Sequence, residues 1–212
     1  MRIIITVLLI NLLIVACKNK TTDKKENPIE VVTNDTTTVR SPDKDSMLLT
    51  LTKEILAAIK QKDYLTLSTF IHPDEGVRFS PHGFIDTSSD KVVNADWIKQ
   101  QNDRKKQAKM VWGGEDASGK SINLVFDDYI KDFVYDVDFL QPEKIKVNEF
   151  IAGGNTQNNL LLIYKDRDFV ESHFSGFDKK YDGMDWRSLR LVFKKKGEMY
   201  YLIGVVHDEW TT

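Results

Sequence analysis

The stretch WRSLRLVFKKKGEMYYLIGVVHDEW, residues 186–210, places two apolar runs of period two on either side of a Lys-Gly pair. Strand side chains alternate between faces, so two such runs joined at a glycine read as an antiparallel hairpin. A two-residue turn at Lys196 and Gly197 sets Lys195 opposite Glu198, Phe193 opposite Tyr200, Leu191 opposite Leu202 and Leu189 opposite Gly204. The other face then carries Met199, Val192 with Tyr201, Arg190 with Ile203, Ser188 with Val205, and Trp186 opposite His207. Asp208 falls on the first face, so His207 and Asp208 do not share a pocket while the strand lasts. No serine elbow accompanies them, which argues against a hydrolase triad.

Working back from the hairpin, KIKVNEFI (144–151), NNLLLIY (158–164) and FVESHF (169–174) read as short strands bounded by turn residues. Helical spacing dominates earlier. SMLLTLTKEILAAIKQKD (46–63) repeats Leu48, Leu51, Ile55, Ala58 and Ile59 on one face, with Ser46 as cap. YLTLSTFI (64–71) is a second, shorter helix that stops at His72 because Pro73 follows. DWIKQQNDRKKQ (96–107) is a modest helix. SINLVFDDYIKDFVYDVDF (121–139) sets Phe126, Tyr129, Ile130, Phe133 and Val137 on one helical face. Helices first and an antiparallel meander last predict an α+β domain.

That domain is expected over residues 47–212, where 23 Lys and Arg stand against 26 Asp and Glu. Such a balance excludes the basic surface that phosphate backbones demand, so nucleic acid is not an expected partner. Residues 1–16, MRIIITVLLINLLIVA, combine one early charge with an apolar run shorter than a spanning helix needs, as secretory signals do. Ile14, Val15, Ala16 and Cys17 resemble a bacterial lipobox, which implies cleavage before Cys17 and lipidation of its thiol. Cys17 is the one cysteine of the chain, so a thioether there leaves no disulfide, cysteine zinc site or thiol nucleophile. Residues 17–46 lack aromatics and are rich in Thr, Lys and Asp, the composition of a disordered tether. Its 29 residues after the cysteine would span roughly 30 Å. The expected location is therefore the bacterial cell envelope, lipid-anchored, and the outer membrane in a Gram-negative cell, because Lys18 rather than Asp follows the cysteine.

The element order resembles the nuclear transport factor-like superfamily, whose fold is a curved sheet wrapped as a cone around a long N-terminal helix. GVRFSP (76–81) and MDWRSLRLVF with YYLIGVVHDEWT (184–211) resemble a group of uncharacterised bacterial envelope lipoproteins. The first resemblance implies a pocketed cone that hosts many functions; the second implies localisation alone.

The histidine-rich stretch HPDEGVRFSPHGF (72–84) is mostly punctuation: a helix stop, a turn, a strand at 77–80 and a terminating proline. His82 and His173 read as surface positions. Asp127, Asp128, Asp132 and Asp136 read as a solvated helix face with Lys131, since no calcium-loop spacing is present, and the same holds for Asp182 and Asp185. No cofactor or metal motif emerges. The candidate ligand site is Arg78, Trp186, Arg190 and His207: an aromatic wall, fixed donors and a group that titrates near neutral pH, suited to a small anion. The plainer alternative has Trp186 and His207 stacked at the sheet end and Arg190 paired with a carboxylate. Two functions follow, a tethered module binding a small ligand or an envelope protein, and a cofactor-free hydrolase or lyase with His207 as acid or base.

Overall fold

The structure is a computed structural model that describes residues 43–116, 118–151 and 157–211. The expected signal peptide, Cys17 and nearly all of the expected tether lie outside the described residues. In chain order the elements are α1 (Lys44–Gln61), α2 (Tyr64–Thr69), β1 (Val77–Ser80), β2 (Lys91–Val93), α3 (Ala95–Gln100), β3 (Met110–Gly114), β4 (Ser121–Leu124), α4 (Phe126–Phe133), β5 (Lys144–Val147), α5 (Leu160–Ile163), β6 (Asp168–Phe174), β7 (Arg187–Lys196) and β8 (Met199–Glu209). The α+β reading holds. A six-stranded sheet runs β2-β1-β8-β7-β6-β5, and β3 and β4 form a separate hairpin. Every pairing is antiparallel except that of β1 with β8. Among the described residues no helix is long and apolar enough to cross a membrane.

Helix α1 starts earlier than expected. Asp43, not Ser46, is the cap: its carboxylate accepts the Ser46 N–H at 2.8 Å, which satisfies an amide that has no partner within the helix. The folded unit accordingly reaches back beyond Met47. The 121–139 segment divides in two. Residues Ser121–Leu124 are a strand, the helix begins only at Phe126, and Val137 lies past its end. The run expected as a strand at 158–164 contains the one-turn helix α5 instead, burying Leu160 and exposing Leu161 and Leu162. Periodicity alone does not separate a short apolar strand from a short buried helix. Strands β2 and β3 carried too little pattern to be expected at all.

The hairpin differs from its expected register at two places. Gly197 takes a φ of 61° and is the first residue of a Gly197-Glu198 turn, so Lys196 pairs with Met199. A bulge then slips the register between Val192 and Phe193, where Phe193 faces Leu202 and Val192 faces Gly204. A bulge adds one residue to one strand, so every β8 side chain beyond it changes face relative to β7. Leu189 is consequently opposite His207, Arg190 opposite Val206 and Ser188 opposite Asp208.

The sheet is buried on both faces. On one, Leu189, Leu191, Phe193, Leu202 and Val205 join α1, α2, α4 and the β3–β4 hairpin in a single core. Its centre is aromatic: Trp112 stacks on Tyr129 at 4.2 Å, and Phe79 meets Trp112 and Phe126 edge-on. On the other face Val192, Ile203, Val206 and Phe169 pack with Ile85 and Leu160. Asn159 ties this second layer down, accepting from the Ile85 N–H at 2.8 Å and donating to the Ile85 carbonyl at 3.0 Å.

Candidate functional site

The four residues expected to form a site do not converge. Arg190 is completely buried on the outer face, between Glu171 at 3.2 Å and Asp208 at 2.8 Å. The Phe150 ring lies over its guanidinium, 5.3 Å away. The network continues through Ser188, which donates to Glu171 at 2.7 Å and so accepts from Nδ1 of His173 at 2.8 Å. Trp186 is buried beside this His173 ring, 6.0 Å centre to centre. His173 is thus an interior residue rather than a surface one. Burial pushes its pKa down, while burial pushes that of Asp208 up against the pull of Arg190.

His207 points to the opposite face from Arg190, the consequence of the bulge. Its Nε2 is 3.2 Å from Asp136, whose other oxygen accepts from Arg187 at 2.6 Å. Burial opposes ionisation of Asp136, but the hydrogen bonds from His207 and Arg187 outweigh it and keep its pKa low. Asp136 therefore holds a core histidine in place and is not part of a solvated helix face. The register argument against a His207–Asp208 pair survives because the two alternate along the strand, but the faces are exchanged and it is Asp208 that joins Arg190.

Arg78 leads to the open space in the molecule. From β1 it donates to the Asp90 carbonyl at 3.1 Å. The loop between β1 and β2 closes on itself: Asp90 N–H donates to the Asp86 carbonyl at 2.8 Å, and Asp86 N–H to the Asp90 carboxylate at 3.0 Å. Hydroxyls of Ser88 and Ser89 hold the Asp86 carboxyl at a pKa of about 2. Asp90 behaves in the opposite way. It is 8% exposed, and burial pushes its pKa up to about 6 against the weaker effects of Ser80, the Asp86 amide and Arg78.

The β3–β4 hairpin forms the facing wall. Gly113 has a φ of 147°, and a Cβ there would stand 3.2 Å from Pro81 and 3.4 Å from an Asp90 carboxylate oxygen. Glycine lets bare backbone approach the loop. The Gly114 carbonyl receives Nε2 of His82 at 3.0 Å. A carbonyl only accepts, so Nε2 carries the proton and Nδ1, 3.7 Å from Asp116, offers a lone pair whenever the ring is neutral. Between the walls lies a cleft of about 430 Å³ bordered by His82, Phe84, Asp86, Asp90, Val111 and Asp116 among others. Beneath it, the Tyr129 hydroxyl is fully buried with no hydrogen bond. Burial, with the charge of Asp90 added, raises its pKa well above the usual value.

His82 was read from sequence as a surface residue, and the structure places it at the cleft. Its signal was the crowded stretch 72–84. Asp90 had none, because one Asp after Thr-Ser-Ser is indistinguishable from any polar loop. Among the described residues no group of three or more His, Cys, Asp or Glu is arranged to hold a metal ion. No protein-family model matches the chain, and neither a curated protein nor a solved structure matches it significantly.

Proposed function

We propose that this protein is a lipid-anchored module of the bacterial cell envelope that binds a small ligand in the cleft bordered by His82 and Asp90. The anchor is the lipid on Cys17, and the outer membrane of a Gram-negative cell is its address. The finer reading of the fold, a cone of the nuclear transport factor-like kind, belongs to this proposal. On that reading the aromatic core of Phe79, Trp112, Phe126 and Tyr129 would fill the interior of the cone. One observation carries the choice of a binding module over a hydrolase or lyase. His207 is entirely buried against Asp136 and borders none of the described cavities, whereas the cleft opens directly to solvent. An acid or base has to reach the proton it moves.

A fragment screen by thermal shift on the full-length protein in non-ionic detergent tests the proposal, with Ser121→Trp as a variant. Ser121 is exposed on the cleft wall, so the indole fills the space without entering the core. Stabilising fragments are expected for the parent and lost in the variant. Hits that persist in Ser121→Trp, or no hits at all, overturn the assignment.

A further inference from the structure

We infer that the ligand of this cleft carries a primary ammonium group, seated on Asp90, with an apolar stem against Phe84 and Val111. The inference rests on the cleft being the ligand site and names the chemistry it selects.

The first observation is a missing counter-ion. Buried carboxylates elsewhere in the domain have a cation in contact: Glu171 and Asp208 share Arg190, and even the half-buried Asp136 has Arg187. Asp90 is 8% exposed, against 0% for Glu171 and 4% for Asp208, yet no Lys, Arg or His nitrogen among the described residues lies within ion-pair distance of its carboxylate. The nearest guanidinium, that of Arg78, is engaged by the Asp90 main-chain carbonyl. A buried charge without a partner is costly unless something supplies one.

The second observation concerns the direction of hydrogen bonding. The described side chains around the cleft include Asp86, Asp90, Glu115 and Asp116 and no lysine or arginine. Nδ1 of His82, 3.7 Å from Asp116, is buried without a hydrogen-bond partner, and Nε2 is committed to Gly114. The cleft offers carboxylate acceptors to a group that brings donors and positive charge. A primary ammonium brings three N–H groups.

The rim supplies the third. Phe84 and Val111 are both 45% exposed, large apolar side chains left uncovered at the mouth. An aromatic face next to carboxylates favours an organic cation over a hydrated metal ion. Free alkylamines and lysyl side chains share this chemistry.

Calorimetric titration of the full-length protein in non-ionic detergent near neutral pH separates the cases, using n-pentylamine, N-acetyl-lysinamide, n-pentanol, pentanoate and calcium chloride. Both ammonium probes are expected to saturate one site, the amide probe more tightly if the natural source is a protein. Asp90→Asn keeps the acceptor for the Asp86 amide and should weaken them about tenfold or more. Phe84→Ala, at an exposed position, should weaken pentylamine several-fold and leave unfolding unchanged. Pentanol or pentanoate binding as well as the amine would overturn the ammonium while leaving the cleft as a site. Calcium binding that blocks the amine would also overturn it, in favour of a metal. If fragments bind in the parent but not in Ser121→Trp, and neither amine binds, the inference fails and the broader proposal stands.

Discussion

The α-carbon of Gly83 rests on the carboxylate of Asp208: a Cβ at position 83 would stand 2.6 Å from its Oδ1. That carboxylate cannot move aside, because it is bonded to Arg190 at 2.8 Å inside a buried cluster. The loop bearing His82 and Phe84 is therefore seated on the ion pairs of the outer sheet face. Gly83→Ala should destabilise the domain by about 1–3 kcal/mol, the usual cost of overpacking, in denaturant unfolding. Gly119→Ala, where a Cβ meets nothing within 4 Å, is the control on the facing hairpin. At Gly119 only its φ of 64° is disturbed, so a smaller cost is expected.

Arg190→Ala leaves Glu171 and Asp208 buried together without their shared cation. A loss of about 3–5 kcal/mol is expected. The combined variant Arg190→Met, Glu171→Gln, Asp208→Asn should recover most of it, because it removes the charges and keeps the volume. A near-neutral Arg190→Ala would mean that the guanidinium is held for a ligand instead.

Asp90 makes stability depend on pH in a definite sense. Its folded pKa of about 6 is above its ordinary 3.8, so the folded state holds the proton more tightly. The contribution of Asp90 to stability falls as pH rises from about 4 to about 6 and is level above that. Asp90→Asn removes the penalty, so the variant should exceed the parent by about 1–2 kcal/mol at neutral pH, after allowance for solvent at the cleft mouth, and match it near pH 4. Melting curves across this window check the sign; a variant less stable at neutral pH would contradict it. Amine binding should weaken over the same fall in pH, as the carboxylate is neutralised.

Tyr129→Phe removes a buried hydroxyl that makes no hydrogen bond while keeping the ring stacked on Trp112 and Phe133. The change should be neutral or stabilising by up to about 1 kcal/mol, read by the same unfolding measurement.

The anchor is tested by metabolic labelling with palmitate. Label should enter the parent and be absent from Cys17→Ser, which should persist as an unprocessed precursor. Label retained by Cys17→Ser would exclude this attachment.

The sequence by itself determined what repeats along the chain. The period of 3.6 in residues 46–63 and the period of 2 in residues 187–209 each report one buried face, and together they yield the α+β class and the hairpin. Single residues with strong local chemistry were also legible, such as Pro73 as a helix stop. What the tertiary structure decided is which of those residues meet. The bulge at Ile203 depends on how β8 fits between β1 and β7, and that one extra residue moved His207 into the core and Asp208 onto Arg190. Burial of Asp90 likewise needs a separate hairpin, 113–121, to close over a loop of ordinary polar composition. Local pattern encodes a face, because a face repeats every few residues; a site gathers residues distant in sequence, and only the packed chain brings them within reach of one another.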